Sequence, residues 1–138
     1  MAHFFNIGDM VEVMFPQVGF VGSFFVATIL LVLQDGRLYV QFHHLLSANG
    51  IFFLRSVVAA TNIRPIPPFI GTSEYELDDI VDVFVNDGWW VGRVVDVLRS
   101  DGYYEIRFEM YDEVSFNEFF DMRPHLEWED GRWVSVLE

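Results

Sequence analysis

The chain has 138 residues, of which 52% are hydrophobic, so it can bury a core as one domain or as two small ones. It has no cysteine, which excludes disulfides and thiolate metal sites. The formal net charge of −13 falls entirely in the second half: residues 1–73 carry three acids and three arginines, and residues 74–138 carry eighteen acids and five arginines. This acidity disfavours nucleic-acid binding by the second half and favours basic partners.

Nothing in the sequence is typical of a membrane or secreted protein. The apolar run Phe24–Leu33 is interrupted by Thr28 and is too short to span a bilayer. The N-terminus lacks a basic segment leading into an apolar run, as a secretory signal would have. We therefore expect a soluble protein with no membrane partner.

Short strands separated by turns fill the first part of the chain. Alternating apolar residues predict a strand at Ile7–Val13, and a longer buried strand is expected at Phe24–Leu33. Turn residues then separate two further strands, at Leu38–Phe42 and Ile51–Val57. The three prolines within residues 65–68 exclude both a helix and a central strand, so they mark the end of this unit.

The same landmarks recur in the same order in the second half, which predicts an internal repeat. The paired landmarks are Val11–Val13 with Val81–Val83, Phe25–Ile29 with Trp90–Val94, Asp35-Gly36 with Asp101-Gly102, Val40–Phe42 with Ile106–Phe108, and Arg64-Pro65 with Arg123-Pro124. We therefore expect an all-β fold of two small barrel-like sheets, at residues 4–68 and 75–136, joined by a short linker at residues 69–74. A closing hairpin is expected around Asp130-Gly131.

A hairpin that carries two adjacent tryptophans is the most informative stretch of the second unit. Valines alternate with other residues along 81–85, and Asp87-Gly88 predicts the turn because glycine accepts the positive φ that hairpins need. The returning strand opens with Trp89 and Trp90, which point to opposite faces. Two large aromatic residues in a strongly acidic neighbourhood indicate a pocket for a cation.

These motifs resemble those of a tandem Agenet module, the plant branch of the Tudor-like Royal domains. The resemblance runs from Phe5 to about Val134 and rests on residues 8–13, 19–30, 63–68, 77–97, 103–108, 116–128 and 130–134. It implies two small Tudor-like (Agenet) barrels packed as a tandem module in a nuclear chromatin protein. Tudor-like modules of this kind bind methylated lysine or arginine in histone tails.

The resemblance also implies where a methyllysine cage would lie. Tudor-like cages take aromatic residues from the end of the first strand, the start of the second, the end of the third and the loop that follows. In the second unit these positions are Phe84, Trp90, Phe108 and Tyr111. All four are aromatic, so the second unit is the favoured reader.

The first unit keeps only part of this set. Phe25 and Phe42 occupy two of the four positions, and a methionine and a leucine occupy the others. Phe15 or Phe20 can replace the missing rings only if the register shifts. The sequence thus leaves open whether the first unit has a pocket.

Further residues near the proposed cage are candidates for contacts with a basic peptide. Carboxylates attract the charged flanks of a histone tail and accept the N–H of a mono- or dimethylated lysine. The candidates are Asp82, Asp87, Trp89, Asp112 and Glu113.

No enzymatic motif is present in the sequence. It has no glycine-rich phosphate loop, cysteine nucleophile or zinc-protease pattern, and no cofactor is expected. His43 and His44 are adjacent on a predicted strand and point to opposite faces, so no metal site is expected there.

Our functional hypothesis is a nuclear reader of the methylated histone H3 tail. The resemblance favours the dimethylated lysine at the ninth position, a mark of silenced heterochromatin. Two alternatives remain at this point: a scaffold that binds proteins independently of methylation, and a nucleic-acid binder that uses the first unit around Arg37 and Arg55.

Overall fold

A computed structural model describes residues 4–17, 19–20, 22–98, 101–108 and 111–135. The chain divides into two compact units, Met1–Ile66 and Pro67–Glu138. Within the described ranges the only helical elements are single 3-10 turns at Ala60–Asn62 and Phe119–Asp121. The predicted all-β class is therefore confirmed.

The first unit is an antiparallel sheet of five strands. They are β1 (Met10–Val13), β2 (Ser23–Val32), β3 (Leu38–Leu46), β4 (Phe53–Val58) and β5 (Ile63–Pro65). Their order is β4-β3-β2-β1-β5. The pairing of the described strands thus forms an open path rather than the closed ring of a barrel.

The second unit repeats this arrangement. Its strands are β6 (Ile80–Val85), β7 (Gly88–Leu98), β8 (Tyr103–Phe108), β9 (Val114–Glu118) and β10 (Met122–Pro124). They pair in the order β9-β8-β7-β6-β10. The order of strands is therefore the same in both units.

A register irregularity falls at the same place in both sheets. The pairing of β2 with β3 shifts between Ile29 and Leu31, and the pairing of β7 with β8 shifts between Val94 and Asp96. Bulges of this kind increase the local bend and twist of a sheet. Their shared position supports the repeat seen in the sequence.

A two-stranded hairpin follows the second sheet. It consists of β11 (Leu126–Glu129) and β12 (Arg132–Ser135). Its turn is Asp130-Gly131, and both residues have positive φ, at 52° and 78°. The predicted Asp-Gly turn is confirmed here.

The turn between β6 and β7 lies one residue earlier than predicted. Asn86 and Asp87 take the positive φ values, at 50° and 68°, whereas Gly88 is buried and begins β7. Val85 pairs directly with Gly88, so the loop has two residues. Two positive φ values are what a type I′ hairpin turn requires, and asparagine and aspartate tolerate them.

Alternation along the strands places the core on one face of each sheet. Phe25, Ala27 and Ile29 of β2 are buried, as are Val81 and Val83 of β6. On β2 the residues between them are more exposed, as a period of two requires, whereas on β6 the intervening Asp82 is itself buried on the opposite face.

The opposite face of the first sheet holds a buried ion pair. Arg64 of β5 lies directly across from Glu12 of β1, and its Nη2 donates to Glu12 Oε1 at 2.8 Å. The side chains are only 5% and 1% exposed. The ring of Phe24 covers the guanidinium, with Cζ 3.4 Å from the ring centroid. The charge interaction, the hydrogen bond and the ring contact together offset the free-energy cost of burying the charged guanidinium.

The second sheet has the same arrangement at the corresponding residues. Arg123 of β10 faces Asp82 of β6, and its Nε donates to Asp82 Oδ2 at 2.9 Å. The ring of Trp89 covers the guanidinium at 4.0 Å. The two Arg-Pro landmarks of the repeat therefore supply the arginines of the two ion pairs.

Among the described residues, no helix is long and apolar enough to cross a membrane.

The buried pair of the first sheet predicts a large loss of stability on truncation. Arg64→Ala leaves the Glu12 carboxylate buried without its counter-charge, and we expect a loss of about 3–5 kcal/mol. Hydrogen exchange of the β1 and β5 amides measures this loss. Arg37→Ala is the control, because the Arg37–Asp35 pair is more than half exposed, and it should leave the same amides protected. Equal protection in both variants would contradict the prediction.

Candidate functional site

An open cavity of about 280 Å³ in the second unit has three aromatic residues in its wall. They are Trp90 of β7, Phe108 at the end of β8, and Tyr111 in the loop between β8 and β9. The other residues in its wall are Val85, Asn86, Glu113, Val114 and Ser115. The structure thus brings three of the four predicted cage residues together.

Strand register and loop closure position these rings. Trp90 lies opposite Val83 and therefore shares the core face of the sheet. The rings of Trp90 and Tyr111 have centroids 5.7 Å apart and an interplanar angle of 51°. The backbone N–H of Phe108 donates to the carbonyl of Glu113 at 3.1 Å, which joins the two ends of the loop that carries Tyr111.

Gly92 provides the space in which Ile106 packs. Gly92 and Phe108 are directly paired across β7 and β8. A Cβ atom at position 92 would lie 2.4 Å from Ile106 Cγ2 and 3.5 Å from Phe108 Cδ1. The absence of a side chain at position 92 therefore lets Ile106 and the backbone of β8 lie close to β7.

A second, larger groove of about 500 Å³ adjoins the cavity. Phe108 and Tyr111 belong to both walls, so these residues separate the two spaces. The remaining residues of the groove are Asp78, Arg93, Val95, Arg107 and Asp112. A peptide with one side chain in the cavity can lay its neighbouring residues along this groove.

The predicted acidic residues around the cage have different surroundings. Glu113 is exposed and lies in the cavity wall. Asp112 is 95% exposed and accepts a hydrogen bond from Arg107 Nη1 at 2.6 Å. Asp87 is exposed in the β6–β7 turn. Of these three, Glu113 is the carboxylate placed to meet a bound cation.

Phe84 lies on the other face of the sheet, away from this cavity. It pairs directly with Trp89, and their ring centroids are 5.2 Å apart. Side chains alternate along a strand, so Phe84 and Trp90 point in opposite directions. The residue of β6 that reaches the cavity is its neighbour Val85. Sequence reasoning missed Val85, although alternation along β6 could have found it.

Trp89 and Asp82 belong to the buried ion pair rather than to an exposed peptide surface. Trp89 contacts both Phe84 and the guanidinium of Arg123. Asp82 is only 2% exposed and is held by Arg123 and His125. Its carboxylate neutralises buried cations, so it is not available to a ligand.

The four candidate residues of the first unit form a packed cluster. The ring of Phe15 stacks on Phe42, with centroids 5.3 Å apart, and contacts Phe25 at 5.4 Å. Phe20 contacts both Phe15 and Phe25. Phe25 and Phe42 are 3% and 0% exposed. The space between these two buried rings is therefore occupied by Phe15.

Metal binding finds no support in the part of the chain that the structure describes. No group of three or more histidine, aspartate or glutamate side chains there is arranged to hold an ion.

Comparison with known proteins places this geometry in a family. A family model for the Agenet domain matches residues 8–68. The crystal structure of Arabidopsis thaliana AGDP1 AGD34 superposes with a TM-score of 0.90 at 31% sequence identity, covering 95% of this chain and 89% of that one. The chain belongs to the Agenet family. The resemblance seen in the motifs is thereby confirmed, and the strand order of each unit fits the Tudor-like fold.

A solved tandem Agenet structure and a longer plant relative both match nearly all of this Agenet chain. The crystal structure of ADCP1 tandem Agenet domain 3-4 has a TM-score of 0.86 and 30% identity, covering 96% of this chain and 89% of that one. Protein AGENET DOMAIN (AGD)-CONTAINING P1 of Arabidopsis thaliana is 33% identical over 135 residues. That match takes in 97% of this chain but 26% of the relative. Tandem Agenet domains are binding modules for proteins, histones among them, and are not known enzymes.

His125, which the sequence does not single out, makes the ion pair of the second unit sensitive to pH. His125 Nδ1 lies 2.6 Å from Asp82 Oδ1, and its Nε2 lies 3.2 Å from Glu127 Oε2. Burial lowers the pKa of His125, but hydrogen bonds and charge interactions with Asp82 and Glu127 outweigh it. The pKa therefore lies above the ordinary value of 6.5.

This raised pKa predicts that the second unit loses stability as the pH rises. The folded state binds the proton more tightly than the unfolded state, so the stabilisation is complete below pH 6.5 and disappears as the pH passes the folded pKa. Urea unfolding followed by tryptophan fluorescence measures this, because all four tryptophans lie in the second unit. His125→Gln should remove this component of the pH dependence. Stability that rises through the same window would contradict the prediction.

Proposed function

We propose that this Agenet module is a chromatin reader that binds a methylated lysine of the histone H3 tail in the second-unit cavity. The observation that carries the proposal is the grouping of Trp90, Phe108 and Tyr111 around an open space, with Glu113 in its wall. We propose the dimethylated lysine at the ninth position as the mark, and the heterochromatin of the nucleus as the place of action.

The chemistry of a methylated ammonium suits such a site. Methylation removes N–H donors and weakens hydration of the cation, while its positive charge still attracts aromatic faces. Each such contact contributes roughly 0.5–2 kcal/mol, with the larger values where water is excluded. Three rings around one cation therefore provide enough interaction to distinguish a methylated lysine from an unmodified one.

The charges of the second half support a basic peptide as the ligand. Residues 74–138 carry eighteen acids against five arginines, a field that speeds the encounter with lysine- and arginine-rich tails. The groove beside the cavity provides room for the residues that flank the methylated lysine. Its wall carries two aspartates and two arginines, so the attraction of the basic tail comes from the unit as a whole.

A scaffold that binds proteins independently of methylation is the second candidate function. Apolar side chains at the β3–β4 turn favour it, since Leu46, Ile51, Phe52 and Phe53 are each at least half exposed. Apolar groups of this size are typical of protein-contact surfaces. Binding that is indifferent to methylation would support this candidate instead of the reader.

Calorimetric titration of histone H3 tail peptides tests the reader. Methylation at the ninth position should tighten binding several-fold, and Trp90→Ala and Tyr111→Ala should each abolish that gain through loss of a ring contact. Tyr111→Phe should preserve it. Phe84→Ala is the matched control, because this ring lies on the other face of the sheet and should leave the methyl preference intact. Equal affinities for all methylation states would refute the reader.

The carboxylate in the cavity wall predicts a preference among methylation states. A dimethylated ammonium keeps one N–H that Glu113 can accept, whereas a trimethylated one has none. Glu113→Gln should therefore weaken the dimethylated peptide more than the trimethylated one. The ratio of the two dissociation constants is the readout, and an unchanged ratio would exclude this role for Glu113.

A further inference from the structure

The two units differ at one position beside the aromatic rings. Phe15 of the first unit and Val85 of the second follow the buried acid of their first strand by three residues, as Phe15 follows Glu12 and Val85 follows Asp82. Phe15 packs between Phe25 and Phe42, whereas Val85 stands in the wall of an open cavity.

The partners of these two side chains also correspond. Phe25 and Trp90 come from the same position of the second strand, where they face Val13 and Val83. Phe42 and Phe108 face Ala27 and Gly92 across the next pair of strands. In the first unit a phenyl ring therefore occupies the place that in the second unit is left open beside a smaller isopropyl group.

The loops after these residues strengthen the contrast. In the first unit the chain between β1 and β2 continues to Phe20, whose ring contacts both Phe15 and Phe25. In the second unit a two-residue turn, Asn86-Asp87, leads directly into β7. Nothing comparable to Phe20 follows Val85, so the cavity remains open to solvent.

We infer that Val85 is the specificity-determining residue that keeps the second-unit pocket open, and that Phe15 closes an equivalent pocket for a methylated ammonium in the first unit. The inference rests on the proposed function for the class of ligand. It adds that one side chain in each unit decides which unit binds. Exchanging the two side chains should therefore move the binding site.

The test uses tetramethylammonium chloride as the probe, titrated into the isotope-labelled chain and followed by nuclear magnetic resonance. In the wild type the Trp90 indole resonance should shift and the amides of Phe25 and Phe42 should not. Val85→Phe should weaken the probe at least tenfold, and Val85→Ile should weaken it by an intermediate amount. Phe15→Val should produce new shifts at Phe25 and Phe42 while the Trp90 response is unchanged.

Folding controls keep the outcome clear. Phe15 shows that the position equivalent to Val85 accepts a phenyl ring beside two other aromatic rings in the first unit. Val85→Ile adds only one methylene group. At least one of the two Val85 variants should therefore retain the dispersed spectrum of a β-sheet. Phe15→Leu, which keeps most of the side-chain volume, should not open the first unit.

The outcomes separate this inference from the proposed partner. If Val85→Phe binds the probe as the wild type does, or if Phe15→Val gains no site, the inference is overturned. Absence of any probe binding by the wild type overturns both the inference and the cavity as a cation site. Probe binding that follows the expected pattern without methyl-dependent binding of histone H3 peptides refutes the partner only.

Discussion

Each sheet of this protein depends on an arginine, buried in the first unit and partly buried in the second, that is neutralised by a buried carboxylate on the neighbouring strand. The pairs are Glu12 with Arg64 and Asp82 with Arg123, and each guanidinium is covered by an aromatic ring from the strand on the other side of the acid. An arginine keeps its charge at every accessible pH, so its partner cannot slip out of register without leaving two buried charges unpaired. The pair thereby determines which of two consecutive aromatic residues covers the guanidinium and which lies on the core face of the sheet.

That choice of face positions the aromatic wall of the candidate site in the second unit. Trp89 covers the arginine, so alternation turns Trp90 towards the core side, where it meets the end of β8 and the loop beyond it. Gly92 leaves room for Ile106 of β8, the strand that ends in Phe108. The cavity thus follows from the register of the sheet, completed by Asn86 of the β6–β7 turn and by the loop residues Tyr111 and Glu113.

Much of the fold could be predicted from the sequence, because turns, alternation and repeated landmarks are local signals. The turn at Asp130-Gly131 is as predicted, whereas Asn86-Asp87 replaces Asp87-Gly88 because both dipeptides suit positive φ. The candidate site is less predictable. The family resemblance implies Phe84, whereas strand alternation puts that ring on the other face of the sheet, and the burial of Asp82 depends on Arg123, 41 residues away. Long-range pairing of this kind leaves no local signal.

The filled cluster around Phe15 and the open cavity around Val85 divide two tasks between the repeats. A ring that fills its own pocket adds packing that is always present, whereas an open pocket forgoes those contacts until a ligand supplies them. Under the proposed function, the first repeat is packed at all times, and the second has a vacancy that its ligand would fill. Ligand binding should accordingly raise the stability of one half of the chain selectively. A duplicated fold can in this way keep a poorly packed site without weakening both of its copies.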